Sequence, residues 1–142
     1  MLNLCIVVAR FYEDIADELM RGATACLDTQ GATYDIIAVP GAFEIPAAVR
    51  LAIASGRYGG YIALGCVIRG ETTHYDYVCS ESARGLNQLA LEHMAAIGYG
   101  ILTVETKEQA FVRAATTQGN KGRDAAEAAL RMIALKKEME VR

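Results

Sequence analysis

The sequence predicts an α/β protein: a three-layer sandwich in which four parallel strands are covered by helices on both faces. Two observations carry this. Apolar runs alternate with amphipathic helical segments in the order βαβαβαβαα. The first run, Leu2–Ala9 (LNLCIVVA), is almost continuously apolar, as a strand buried on both faces must be. After it, Asp14–Gly31 places Ile15, Leu19, Ala23, Cys26 and Leu27 on one helical face, and Gly31 is a natural stop. Thr33–Val39 is the second strand and ends at the turn signal Pro40-Gly41. Ile45–Ser55 is a helix, with Pro46 tolerated in its first turn and Gly56 after its end. Tyr61–Ile68 is the third strand. A polar loop, Arg69–His74, leads into a long helix over Tyr77–Ile97 that Gly98 closes. Tyr99–Val104 is the fourth strand, Glu108–Ala115 a short helix and Thr116–Gly122 a loop. A last helix begins near Asp124, whose carboxylate suits a helix amino end, and runs to Glu140. The closing KKEMEVR is a solvated tip.

At 142 residues, with no repeat, linker or low-complexity tract, the chain is expected to be one domain over residues 1–142. Hydrophobic residues make up 53% and charged residues only 22%. Usual apolar usage is ~45–50% even when Gly is counted. Mean hydropathy is +0.19. A small monomer short of polar residues is expected to cover part of its surface with further copies of itself. A net charge of −3 leaves no global basic field for nucleic acid or an anionic membrane. No apolar run reaches the ~18–20 residues of a membrane span. Leu2–Ala9 is too short, and lacks the cationic start, to be a signal peptide. Cys5, Cys26, Cys66 and Cys79 stand apart, in apolar contexts, without metal-ligand spacing. They read as reduced cysteines of a cytoplasmic protein, with no metal and no disulfide.

In open parallel sheets, ligands bind beyond the carboxyl ends of the strands. Four segments follow those ends: Arg10-Phe11-Tyr12, VPGAFEIP (39–46), RGETTHYDY (69–77) and Glu105-Thr106-Lys107. Polar, aromatic and glycine residues gather there. Phe11 either packs on the next helix or offers a stacking platform to a flat heterocycle. Glu44 either complements a helix dipole or accepts hydrogen bonds from ligand hydroxyls. Gly70, Thr72 and Thr73 suit an anion ahead of a helix. His74 sits in that polar loop and can exchange protons near neutral pH. His93 is expected mid-helix, as a surface residue. Arg113 and Lys121 are either solvated cations or phosphate ligands, the guanidinium being suited to a bidentate grip.

What is missing narrows the chemistry. There is no G-x-G-x-x-G, no G-x-x-x-x-G-K-[ST] and no G-x-S-x-G. Arg10-Phe11-Tyr12 is too bulky for the phosphate loop of a flavin-mononucleotide site. The acidic residues of a phospho-receiver are absent as well.

RFYEDIADELMRGA, VPGAFEIPAA, ALGCVIRGETTHYDYVCSESARGL, GILTVETKEQA and RAATTQGNKGRDAAEAA together resemble the 6,7-dimethyl-8-ribityllumazine synthase family, from Arg10 to Leu130. The resemblance implies a flavodoxin-like strand order, 2-1-3-4. It implies a transferase of riboflavin biosynthesis that joins 5-amino-6-(D-ribitylamino)uracil to 3,4-dihydroxy-2-butanone 4-phosphate. Phosphate and water leave, and no metal or redox cofactor takes part. Carried over by motif, Phe11 stacks on the pyrimidine. Ala42, Phe43 and Glu44 hold the ribitylamino substrate, with Glu44 on its hydroxyls. Cys66, Val67 and Ile68 line the pyrimidine pocket. Glu71 and Thr72 receive the phosphate-bearing substrate, and Arg113 clamps its phosphate. His74 donates and accepts the proton. Tyr99 falls where a neighbouring subunit lends an aromatic or apolar residue, and Lys121 falls near the ribityl end.

The family's site lies between adjacent subunits of a pentamer, so a homo-oligomer is expected: pentamer, decamer or 60-subunit shell. Association with riboflavin synthase is a further partner that the resemblance brings. Three residues depart from the family pattern. Tyr12 replaces a small polar residue, Thr106 replaces an Asn, and Lys107 stands where a smaller or apolar residue is usual. The first strand begins almost at Met1, where many relatives carry an added segment that reaches a neighbour. A non-catalytic lumazine- or flavin-binding assembly protein on the same scaffold is the alternative. The presence of His74 and Arg113 favours the enzyme.

Overall fold

The computed structural model describes residues 2–141, so Met1 and Arg142, the ends of the expected domain, lie outside the described residues. The strands are β1 (Asn3–Ala9), β2 (Thr33–Val39), β3 (Gly60–Ile68) and β4 (Ile97–Val104). All neighbours pair in parallel, in the expected order β2-β1-β3-β4. The helices are α1 (Glu13–Thr29), α2 (Ile45–Ser55), α3 (His74–His93), α4 (Lys107–Ala114) and α5 (Lys121–Glu138).

The continuous apolar run of β1 has a direct physical reason. Successive side chains of a strand point to opposite faces. Leu4, Ile6 and Val8 join α1, α4 and α5 in one core layer. Cys5, Val7 and Ala9 join α2 and α3 in the other. Both layers are dry, so neither parity of β1 tolerates a polar residue. Each fully buried Leu, Ile or Val contributes roughly 1.5–3 kcal/mol.

The two layers differ in how closely their helices approach. The α5 side is lined by Ala125, Ala126 and Ala129. Gly98, in β4, lies beneath Ala125, and a Cβ there would stand 1.9 Å from the Ala125 carbonyl oxygen. Gly122, in the first turn of α5, meets the Leu19 carbonyl of α1 at the same 1.9 Å. These contacts correct two expected boundaries. Gly98 does not close α3. The helix ends at His93, which is therefore not mid-helix, and Met94 caps it with a left-handed φ of 49°. Gly122 is helical rather than part of a loop, and α5 starts at Lys121, three residues before Asp124.

α3 also starts earlier than expected, at His74 rather than Tyr77. A 3-10 turn over Ala42–Glu44, not anticipated from the sequence, precedes α2. α4 starts at Lys107, where the Thr106 hydroxyl accepts from the Gln109 N–H at 3.2 Å. Thr106 caps α4 through its side chain, whereas Thr73 and Asn120 make no such bond at the starts of α3 and α5.

Sheet register positions the site. Val8 of β1 pairs with Leu64 of β3, so β3 runs on for Gly65–Ile68 beside β4 alone. Gly65 sits where Ala42 and Ile45 come over the sheet, with a Cβ there only 3.3 Å from Ile45 Cδ1. The overhanging end of β3 and the 3-10 turn after β2 become the walls of a cleft.

Candidate active site

The cleft lies beyond the carboxyl ends of β1, β2 and β3 and encloses about 610 Å³. It is lined by Phe11 and Tyr12 after β1, by Pro40–Glu44 after β2, and by Cys66–Ile68 at the end of β3. Gly70, Thr72, His74, Tyr75 and Val78 complete it.

Phe11 is presented by a continued ladder. The Arg10 N–H donates to the Val39 carbonyl at 3.1 Å, and the Arg10 guanidinium donates to Asp17 Oδ1 at 2.8 Å. The chain then turns out, and Phe11 is 72% exposed. It is therefore not packed on α1. Only the Tyr12 ring meets it edge-on, with centroids 4.9 Å apart. Tyr12 is half-buried, and its hydroxyl has no hydrogen-bond partner among the described residues. Burial holds the phenol above its usual pKa, a Cys66 thiolate would add to that, and the Lys107 ammonium opposes it. Lys107 itself pairs with Asp14 at 3.0 Å and lowers the Asp14 pKa through that bond.

Glu44 ends the 3-10 turn. Its Oε1 accepts from the Gly41 N–H at 3.0 Å, which closes PGAFE on itself. This is the capping role, and it leaves Oε2 without a donor among the described residues. Ala42 is buried beneath the turn, whereas Phe43 is half-exposed at its rim.

Cys66 and Val67 are buried and Ile68 half-buried, side by side with Leu102–Val104 of β4. Burial pushes the Cys66 thiol up to about 12, so it stays neutral near pH 7. A neutral thiol is a wall, not a nucleophile. His74 opens α3, and its backbone N–H donates to Thr72 Oγ1 at 3.3 Å. Its imidazole is exposed at the cleft.

Thus Phe11, Ala42, Phe43, Glu44, Cys66, Val67, Ile68, Thr72 and His74 converge within one chain. Glu71, Tyr99, Arg113 and Lys121 do not. Glu71 is exposed next to the cleft without lining it. Tyr99 lines a separate hollow with Ala83, Leu86, Asn87, Ala90 and Ile97. Arg113 donates to the Gln109 carbonyl at 3.0 Å, within its own helix. Lys121 pairs with Asp124 at 3.6 Å. Pro40, Gly41, Tyr75 and Val78 line the cleft without having been singled out as ligand contacts, and Gly70, expected beside an anion, lines it too. Three of those four lie inside the two strand-end segments already marked as unusual. Val78 falls one helical turn after His74, a spacing that shares a face once α3 is known to start at His74.

Among the described residues, no group of three or more His, Cys, Asp or Glu side chains converges as a metal site. The four cysteines are free. No helix is long and apolar enough to cross a membrane.

The fold and cleft define a small parallel α/β protein with an open cleft at the carboxyl edge of its sheet, the edge at which such sheets take ligands. Comparison with known proteins makes this specific. The family model described as 6,7-dimethyl-8-ribityllumazine synthase matches residues 1–137. The 6,7-dimethyl-8-ribityllumazine synthase 1 of Rhizobium meliloti is 53% identical over 97% of this chain and 94% of its own length. The synthase of Bartonella bacilliformis is 56% identical over 95% of this chain and 90% of its own. That of Sphingopyxis alaskensis is 51% identical over 97% of both. The chain belongs to the 6,7-dimethyl-8-ribityllumazine synthase family, and its activity is that of a lumazine synthase in riboflavin biosynthesis.

Proposed function

We propose that the cleft is one half of the synthase site and that a second copy of the chain completes it. One observation carries this reading. The second substrate bears a phosphate, yet among the described residues no Lys or Arg lines the cleft. An anion placed there would lack a cationic partner, a costly arrangement in a partly desolvated site. Arg113 and Lys121 are exposed on the same chain, outside the cleft, and free to meet a neighbour's cleft. The large exposed apolar side chains support the same assembly: Phe43, Leu51, Tyr77, Leu91, Met94, Phe111 and Val112 are each 46% exposed or more. The family's pentamer, alone or in multiples, is the assembly this reading adopts. Residues 1–142 act as one domain in it. The free cysteines support a reducing compartment, and the cytoplasm is the location this reading adopts.

The cleft geometry supports the roles within one chain, and the family resemblance supplies those of the neighbour. The exposed Phe11 face stacks on the pyrimidine of 5-amino-6-(D-ribitylamino)uracil. Cys66, Val67 and Ile68 form the apolar wall beside it. Ala42 and Phe43 flank the ribitylamino chain, and Glu44 Oε2 accepts from its hydroxyls, with the neighbour's Lys121 and Tyr99 closing that end. Glu71 and Thr72, after the flexible Gly70, receive 3,4-dihydroxy-2-butanone 4-phosphate. The neighbour's Arg113 grips its phosphate as a fork. The amine adds to the ketone and water leaves. Phosphate is then eliminated, and the ring closes with loss of a second water. His74 moves protons between nitrogen and oxygen in these steps. Two reactive substrates held together gain up to ~7–11 kcal/mol from orientation, so no nucleophile is required.

The test mixes purified protein with both substrates and follows lumazine absorbance and phosphate release, with light scattering on the same sample. Product formation only at the mass of a pentamer or larger is the expected outcome. Full turnover by a monomer would end the shared-site reading.

A further inference from the structure

Arg69 lies immediately behind the cleft wall, and no role has been given to it so far. It follows β3 directly, and its N–H donates to the Val104 carbonyl at 2.9 Å, one step beyond the β3–β4 ladder. It does not line the cleft. Its Nε is 2.8 and 3.1 Å from the two carboxylate oxygens of Glu105, at the end of β4. Its Nη1 is 3.4 Å from Asp76 Oδ1, in the first turn of α3. Its guanidinium carbon stands 4.3 Å from the centroid of the Tyr75 ring, and Tyr75 lines the cleft beside His74. Glu105 is anchored in turn, because its N–H donates to Gln109 Oε1 of α4 at 2.8 Å.

One planar group therefore ties three pieces together: the end of β3, the end of β4 and the two residues that follow His74. Little else does so. Gly70 would have no atom within 4 Å of a Cβ, and Thr73 caps α3 with no side-chain hydrogen bond. Thr72 touches His74 only through the 3.3 Å bond to its N–H. As a stability device the network is weak, since exposed ion pairs contribute little. As an orienting device it is strong. The fork holds two carboxylates and an aromatic face in fixed directions, and a misplacement of about 1 Å at a reacting group can cost ~10²-fold in rate.

We propose that Arg69 is a positioning residue for His74: it holds the first turn of α3 against the ends of β3 and β4, so that the imidazole meets the reacting atoms. The proposal rests on the proton-transfer role given to His74 above. Steady-state kinetics on the assembled enzyme test it with wild type, Arg69→Gln, His74→Ala and the double variant. Arg69→Gln is expected to lower kcat about 10-fold. Its KM for the ribitylaminouracil should change less than about twofold, because Phe11 and Glu44 are untouched. In the His74→Ala background, Arg69→Gln should cost nothing more, since the group it positions is gone. Arg69→Lys keeps the charge but not the fork, and should recover part of kcat. Glu105→Gln releases the fork from the other side and carries the same comparison if Arg69→Gln does not fold. Equal fold-losses in both backgrounds, or a raised KM with unchanged kcat, would overturn the proposal. A wild-type kcat for His74→Ala would instead overturn the role of His74, and Arg69's with it.

Discussion

Two exposed regions of this chain are built differently. The cleft is made of chain ends: the overhang of β3, the 3-10 turn after β2, and the residue after β1 turned outward. It presents an aromatic face, a carboxylate oxygen and an imidazole, with no Lys or Arg among the described residues. The second region lies outside the cleft, on α4 and α5. It presents Arg113 and Lys121, with Phe111 and Val112 exposed alongside, while Tyr99 of β4 opens into a hollow with α3 residues. Each region lacks what the other holds. A phosphate-bearing substrate and a flat heterocycle need both, and on the shared-site proposal that complementarity is the reason for association.

The sharpest way to break the comparison is to disable the two regions in separate chains. Arg113→Ala is expected to abolish productive binding of the phosphate substrate, because Lys121 is a looser point charge. An unchanged KM for that substrate in steady-state assays would remove Arg113 from the site. His74→Ala should lower kcat by about 10²–10⁴-fold without abolishing it, as loss of a general acid–base does. The two variants, unfolded and refolded together, should regain activity, since some interfaces then pair an intact cleft with an intact Arg113. No recovery in the mixed oligomer would place both residues in one chain's site.

A smaller effect sharpens the contrast by acting on the core beneath the second region. Gly98→Ala puts a Cβ within 1.9 Å of the Ala125 carbonyl. It should cost about 3 kcal/mol in denaturant unfolding, at the upper end of overpacking effects. Gly70→Ala, where nothing crowds, should cost under about 1 kcal/mol.

The smallest effect concerns pH. The Cys66 thiol is raised from 9.0 to about 12 by burial. Its folded pKa exceeds its unfolded value, so the stabilisation is whole below pH 9.0 and is lost as pH rises towards 12. Iodoacetamide should therefore leave Cys66 unmodified in the native protein at pH 8, as read by mass spectrometry. Rapid alkylation would contradict its description as a neutral wall.

Much of the cleft was legible before any coordinates. Phe11, Glu44 and His74 sit in strand-end segments whose composition breaks the apolar pattern, and a parallel sheet collects such segments at one edge. Glu44 also shows a limit of residue-by-residue reading. Its capping and ligand roles stood as alternatives, yet its two oxygens separate them, with Oε1 on Gly41 and Oε2 open. Gly98 and Gly122 were misread because a glycine that stops a helix and a glycine that admits a neighbouring backbone look alike in sequence. Tyr75 and Val78 were missed because their place depends on where α3 begins, and it begins three residues before the expected Tyr77.

By itself, then, the sequence determined the alternation of strands and helices, the doubly buried sheet and the edge at which polar residues gather. These follow from periods of 2 and 3.6 residues and from turn chemistry, all of which act over a few neighbouring positions. Only the tertiary structure decided which backbones touch at Gly98 and Gly122, how far β3 overhangs β1, and that no Lys or Arg among the described residues lines the cleft of one chain. Those features depend on residues far apart in the chain meeting across the core, and no local period encodes a distance between two elements.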